Sequence, residues 1–227
     1  MTRETYALIE QYMLHCMQDA AHDPNHIYRV LYAAIDIAGA EPTADMDIVI
    51  AAALLHDIGR EKQAVDPSLD HAAVGAPMAL AYLRSIGWPD DRANHVADCV
   101  RTHRFRSGDA PSTIEASIIF DADKLDVTGA MGVARTLCYG GQVNEPIFVL
   151  DDEGKLLTTG GGAEISSFVQ EFNWKLRHIY DKFLTVRGAQ LAAARKDVAI
   201  RFADALENEI RQVHEDGPLH LRDVLTQ

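Results

Sequence analysis

Apolar side chains recur along most of this chain at intervals of three and four residues, the period of an α-helix with one face turned inward. Tyr6, Ile9, Tyr12, Met13 and Cys16 mark one such face and predict a helix from about Thr2 to Ala20. Asp23-Pro24 supplies a cap followed by proline at the first helical position. The helix it opens carries His26, Val30, Ala33, Ala34 and Ile37 and stops before Gly39. A third helix, capped by Thr43, runs to His56-Asp57 with Gly59 as its break. Its stretch from Ile48 to Leu55 is apolar on every side, as expected of a buried helix. A fourth, from about Asp70 to Gly87, holds Val74, Met78 and Tyr82, with Pro77 as a kink point. A fifth runs from Trp88-Pro89 to His103. Ser112-Thr-Ile-Glu115 reads as a capping box that opens a sixth, Ile114 to about Val127, and Gly129 to Arg135 is helical again.

Pro146 to Leu157 departs from this period. Two short apolar runs flank Asp151-Asp-Glu-Gly154, a turn signal, and predict a small β-hairpin near residues 146–158, closed by Gly160-Gly-Gly162. Two long helices follow, about Glu164 to Thr185 and Gly188 to Val213. No repeat, low-complexity tract or Pro/Gly-rich linker interrupts the chain. The expectation is one all-α domain: a helical core at about 22–139, the hairpin insertion at about 144–162, and C-terminal helices at about 164–213. A chain of 227 residues suffices for a substantial core.

Composition narrows the function classes. The formal net charge of −13 repels a phosphate backbone, which argues against a nucleic-acid scaffold as partner. A small phosphorylated substrate remains compatible, because a local cation outweighs a distant field. Cys16, Cys99 and Cys138 are scattered, which argues against a disulfide framework and fits a reducing compartment. The N-terminus lacks a cationic head before an apolar run, and no apolar run reaches the roughly 20 residues that span a bilayer. These features predict a cytoplasmic protein with no membrane partner. Nothing in them sets the oligomeric state, so a homo-oligomer stays open.

The candidate chemistry begins at His56-Asp57, where an imidazole and a carboxylate end a greasy helix. A divalent cation satisfies both at once. His26, His71, His95 and His103 are further candidate ligands, as are Asp121, Asp123 and Asp126 in the apolar segment around Ile118, Ile119, Phe120 and Leu125. Periodicity does not choose between Asp121 and Asp123. The other His-Asp pair, His22-Asp23, reads as a helix cap.

His26, then His56-Asp-Ile-Gly-Arg60, then Asp121-Ala-Asp-Lys-Leu-Asp126 resembles the signature of the HD-domain metal-dependent phosphohydrolases. His26-Ile-Tyr-Arg-Val30, His71-Ala72, Gly129-Ala-Met-Gly-Val-Ala-Arg135, Phe183-Leu-Thr185 and Arg195 are similar to a bacterial branch that contains nucleotide pyrophosphohydrolases. The resemblance covers roughly His22 to Glu209. It implies an HD-type helical bundle in which His26, His56, Asp57 and Asp123 hold a divalent metal. Two imidazoles and two carboxylates suit Mn²⁺, Fe²⁺, Co²⁺ or Zn²⁺ better than Mg²⁺, with Mn²⁺ first.

The resemblance implies hydrolysis of a small nucleotide through metal-activated water, a (deoxy)nucleoside triphosphate giving monophosphate and pyrophosphate. A 5′-nucleotidase, a cyclic-nucleotide phosphodiesterase and a non-catalytic nucleotide sensor are the alternatives. Asp70 and His71 are candidates for an acid/base pair, and Glu61 for a general base. Arg60, Lys124 and Arg195 are candidate phosphate contacts. Asp126 is expected to orient a ligand or meet a sugar. One metal is expected, with His71 and His103 facing the substrate. Extra histidines that hold a second metal are the other arrangement. Tyr28, Tyr32 and Trp174 read as core or supporting residues.

Overall fold

Several helix starts in this protein are set by short oxygen-bearing side chains that accept the first unpaired backbone N–H groups. A computed structural model describes residues 1–17, 24–104, 110–160 and 167–225. Along them run α1 (Arg3–Cys16), α2 (Pro24–Ala38), α3 (Met46–Leu55), α4 (Arg60–Val65), α5 (His71–Ser85), α6 (Asp90–Thr102), α7 (Ile114–Leu125), α8 (Gly129–Gln142) and α9 (Phe168–Trp174). A 3₁₀ turn (Leu176–Asp181), α10 (Val186–Arg211), a π-helical turn (Gln212–Asp216) and α11 (Gly217–Leu225) complete the order. The predicted cap at Asp23, the glycines at 161 and 162 and the predicted helix start at Glu164 lie outside the described residues. No helix among the described residues is long and apolar enough to cross a membrane. All three cysteines are free.

The chain gathers into two compact units, residues 1–126 with 184–188, and residues 127–183 with 189–227. In the first, α2 packs on α3 and α7, α5 on α6, and α3 on α1, α6 and α7. The central α3 buries Ile48, Val49, Ala51, Ala52, Ala53, Leu54 and Leu55. Burying Leu54 and Leu55 completely contributes about 2 kcal/mol each. In the second unit Phe168 packs on Phe172 and edge-on against Phe202, and the Tyr180 hydroxyl accepts from Gly129 N at 3.1 Å.

The helical expectations hold, with local corrections. Asp45, not Thr43, caps α3: its Oδ1 accepts from Asp47 N at 3.0 Å and Ile48 N at 3.4 Å. Arg92 holds its carboxylate with two 2.7 Å contacts, which fixes the cap there. Thr113, not Ser112, caps α7, and Glu115 turns away to Asp45 N at 2.8 Å, so no capping box closes. The short α4 has no buried residue and therefore no apolar period to read.

The predicted hairpin is not formed. The Asp151–Gly154 turn exists, with Asp151 Oδ1 accepting from Glu153 N and Lys155 N at 2.9 Å. It carries one antiparallel bridge, Leu150 to Leu156, and no strand is found among the described residues. The carbonyls of Pro146 and Ile147 accept from Phe168 N and Val169 N in the first turn of α9, so they are not available to a ladder. The predicted helix to Thr185 stops at Trp174 and gives way to the 3₁₀ turn. Leu184 N and Thr185 N donate to the Asp121 carboxylate instead of to carbonyls four residues back.

Gly59 separates α3 from α4 under a close contact. A Cβ there would lie 2.2 Å from His71 O and 2.8 Å from Gly75 N, both backbone atoms. Gly141, inside α8, has open space around a Cβ. Gly59→Ala is therefore expected to lower stability by about 1–3 kcal/mol through overpacking, whereas Gly141→Ala raises it by up to about 1 kcal/mol through helix propensity. Urea unfolding of the two variants checks the opposite signs.

Candidate metal centre

The apolar α3 delivers two polar side chains into the interior of the first unit. His56 caps its C-terminus and Asp57 follows; they are 0% and 1% exposed. His56 Nδ1–H donates to Ala53 O at 2.7 Å, which turns Nε2 inward. On α2, His26 Nδ1 lies 2.7 Å from Asp126 Oδ2. Arg29, one helical turn further along, holds that carboxylate with Nε at 2.6 Å and Nη2 at 3.0 Å. At the C-terminus of α6, His103 Nδ1–H donates to Val100 O at 2.6 Å. His71, the first residue of α5, has its Nδ1 2.6 Å from Gln63 Oε1 on α4. In each case an acceptor on Nδ1 directs the Nε2 lone pair inward, the arrangement of an imidazole that ligates a metal.

These atoms converge on Asp57. His26 Nε2 lies 3.3 Å from Asp57 Oδ2, from Asp123 Oδ1 and from His56 Nε2. His56 Nε2 lies 3.5 Å from Asp57 Oδ2. On the other carboxylate oxygen, Asp57 Oδ1 lies 3.1 Å from His71 Nε2 and 3.6 Å from His103 Nε2. Two groups could each hold a cation, His26–His56–Asp123 and Asp57–His71–His103; within each, the ligand atoms lie within 4.8 Å of one another. Asp57 faces both.

Three atoms of the second group, Asp57 Oδ1, His71 Nε2 and His103 Nε2, are buried without a hydrogen bond. Leaving one such group unsatisfied costs about 1–3 kcal/mol. With Nδ1 protons given to Gln63 Oε1 and Val100 O, the two imidazoles present lone pairs to a carboxylate. Acceptors facing acceptors are satisfied by a cation, so the residues present fit the divalent metal that an HD-type site implies.

The charges agree with this. Burial resists ionisation of Asp57, yet His56 and Arg60 hold its carboxyl well below the usual range. Burial likewise opposes ionisation of Asp123, and His26 overcomes it. Burial lowers the His26 pKa, but Asp123 and Asp57 outweigh it and the net shift is upward. His71 is pushed down to about 4, first by burial and then by Arg60 and Arg104 against the pull of Asp57, and is neutral at pH 7.

The packing separates the two aspartates that spacing left open. Asp123 joins His26 and His56. Asp121 accepts from Leu184 N at 2.9 Å and from Thr185 N and Oγ1 at 2.7 Å; burial raises its pKa, partly offset by these bonds. Among the other expected site residues, His71 and His103 join the cluster. Arg60 Nε lies 2.5 Å from Asp57 Oδ2. Asp126 is the partner of His26. Asp70 caps α5 by accepting from Ala72 N at 3.1 Å, and lies 3.4 Å from Arg104 Nη1. Glu61 is exposed on α4, apart from the cluster. The Lys124 ammonium lies 4.1 Å from the Phe120 ring centre. Arg195 is in the second unit, its side chain against Gly129.

His95 pairs with Glu115 at 3.1 Å, outside the cluster. Tyr32 and Trp174 are exposed, at 64% and 52%, and are not core residues. Sequence reasoning missed Arg29, Gln63 and Arg104. Arg29 had a signal, since it shares a helix face with His26 three residues before it. Gln63 had none.

Residues 25–128 match the family model for the HD domain. Over 198 residues the chain is 28% identical to uncharacterized protein YpgQ of Bacillus subtilis (strain 168), covering 85% of this chain and 86% of that protein. The crystal structure of a predicted HD superfamily hydrolase from an uncultured Thermotogales bacterium is 26% identical, covers 88% of this chain and 90% of its own, and superposes with a TM-score of 0.61. The structure of Bacillus subtilis YpgQ in complex with ADP is 25% identical, covers 91% and 95%, and gives 0.69.

The neutral His71 sets a pH dependence. Unfolded, it takes a proton near 6.5; folded, near 4. Between those values the unfolded chain binds the additional proton, so this group's contribution falls as pH drops from about 6.5 to about 4 and levels off below. The full effect is at most about 3 kcal/mol. Urea unfolding of chelator-treated protein at pH 7 and pH 4.5 should show a larger acid loss for wild type than for His71→Asn.

Proposed function

We propose that this chain, whose residues 25–128 match the family model for the HD domain, is a divalent-cation-dependent phosphohydrolase of small nucleotides, cleaving a (deoxy)nucleoside triphosphate to monophosphate and pyrophosphate. The observation that supports this best is the buried convergence of imidazole lone pairs and carboxylate oxygens on Asp57, with a guanidinium beside it. In this reading His26, His56, Asp57 and Asp123 hold one cation. Asp57, His71 and His103 hold a second, so two positions replace the single metal expected from sequence. The mixed nitrogen and oxygen set suits Mn²⁺, Fe²⁺, Co²⁺ or Zn²⁺. When bound, the cations supply Lewis acidity toward a phosphoryl oxygen and toward water.

The protein's own groups do the rest. Asp126, held by Arg29, keeps the His26 ring in one orientation. Asp57 offers one oxygen to each group. The Arg60 side chain is 40% exposed beside Asp57, where its planar fork can meet a phosphate. Asp123, 25% exposed, marks where the cluster meets solvent. Lys124 follows it and is a further phosphate contact. His71 is reassigned from proton transfer to cation binding, and Asp70 to holding the start of α5. The ADP complex of the YpgQ relative supports a nucleotide as the ligand.

The test is product analysis by phosphorus NMR on Mn²⁺-loaded protein across a nucleotide panel. Pyrophosphate from triphosphates is expected. Inorganic phosphate would instead indicate a nucleotidase, and a linear monophosphate from a cyclic nucleotide a phosphodiesterase. No turnover of any nucleotide with cation bound would sink the proposal and favour a sensor. Asp57→Asn should lower kcat/KM by more than the roughly 100-fold that loss of an outer partner costs.

A further inference from the structure

His71 Nδ1 has two neighbours with opposite requirements. Gln63 Oε1, at 2.6 Å, can only accept, so it needs a proton on that nitrogen. Arg104 Nη1, at 3.0 Å, can only donate, so it needs a lone pair there. A neutral imidazole carries one ring proton and cannot serve both.

The two positions of that proton have different consequences on the far side of the ring. With the proton on Nδ1, Nε2 is a lone pair aimed at Asp57 Oδ1, 3.1 Å away, beside His103 Nε2. That is the ligand form. With the proton on Nε2, the ring donates to Asp57 Oδ1 and closes the pair without a cation. The exchange moves one proton between ring nitrogens and leaves the charge of the protein unchanged.

We propose that Gln63 and Arg104 are opposed positioning residues for His71, Gln63 holding it in the ligand form and Arg104 drawing it toward the closed form. This rests on the two-cation reading above. The shorter contact favours Gln63. Asp70 adds to that bias, since its Oδ1 lies 3.4 Å from the same Arg104 nitrogen and offers it an anionic alternative. Gln63 sits on α4, which buries no side chain in the core. Its contact with His71 and that of Arg60 with Asp57 attach this short helix to the cation ligands themselves. The hold on the second cation position is therefore adjustable through α4 while His56 and His103, locked to carbonyls of their own helices, stay as they are.

The experiment reads the tautomer and cation binding separately. Nitrogen NMR of chelator-treated protein with labelled histidine reports which nitrogen of His71 carries the proton. Calorimetry with Mn²⁺ alone reports the two affinities. In wild type the proton is expected on Nδ1, with two Mn²⁺ bound. Gln63→Leu should move the proton toward Nε2 and weaken one Mn²⁺ by about 10–100-fold, leaving the other unchanged. Gln63→Glu, which keeps an acceptor, should restore both readouts. Arg104→Leu should leave the proton on Nδ1 and the weaker Mn²⁺ site as tight as wild type or tighter. Circular dichroism confirms folding of each variant.

An unchanged His71 tautomer across the variants overturns the inference while leaving the phosphohydrolase reading intact. Equal weakening of both Mn²⁺ sites by Gln63→Leu overturns it as well. Failure of wild type to bind Mn²⁺ at all is a different result, and it removes the functional reading and this inference together.

Discussion

Asp57 holds a negative charge where almost no water reaches, and the first unit is arranged around that constraint. An ionised carboxylate is retained in such a place only when positive charge or strong donors surround it. Arg60 supplies one guanidinium at the edge. Four imidazoles supply the rest of the surroundings among the described residues, but they are aimed with lone pairs inward. The cluster therefore has more acceptors than it can satisfy internally. Its stability and its chemistry meet at one point: the cation that relieves the burial cost is also the Lewis acid that a phosphohydrolase needs.

Each helix contributes to this in a way its sequence explains. The apolar α3 can be central because nothing on its surface needs water until His56. The helix ends are the source of the ligands. His56 and His103 cap the C-termini of α3 and α6, and each gives its Nδ1 proton to a carbonyl three residues back that the helix leaves unpaired. One bond thus closes a helix end and orients a ligand. His71 stands at the start of α5, where no carbonyl of its own helix can orient it, and Gln63 from a neighbouring helix does so instead. This difference is why His71 is the adjustable member of the set.

Where the fold departs from the pattern of the chain, backbone groups have found partners that pattern cannot show. The flanks of the Asp151–Gly154 turn alternate well enough for strands, but the Pro146 and Ile147 carbonyls are taken by the first turn of α9. Thr185 lies in a helical period, but Asp121 draws its N–H and hydroxyl away. Thr43 and Ser112 are good capping residues displaced by neighbours, because Arg92 fixes Asp45 and Glu115 is drawn to Asp45 N and His95. These are contacts across tens of residues, and local propensity carries no information about them.

The sequence by itself determined the helical character of the chain, the burial of α3, and the His26, His56-Asp57 and Asp121–Asp126 positions as the places where polar groups enter an apolar interior. It could do so because apolar period and the cost of burying charge are local properties of a chain. Only the tertiary structure decided that Asp123 rather than Asp121 faces the histidines, since both lie on α7 and the contacts with His26 and with residues 184–185 distinguish them. Only it brought His71 and His103 to the second oxygen of Asp57, and placed Gln63 and Arg104 on one ring nitrogen. The physical reason is the same for each: which lone pair meets which proton is set by ångström distances between helices, and these follow from packing.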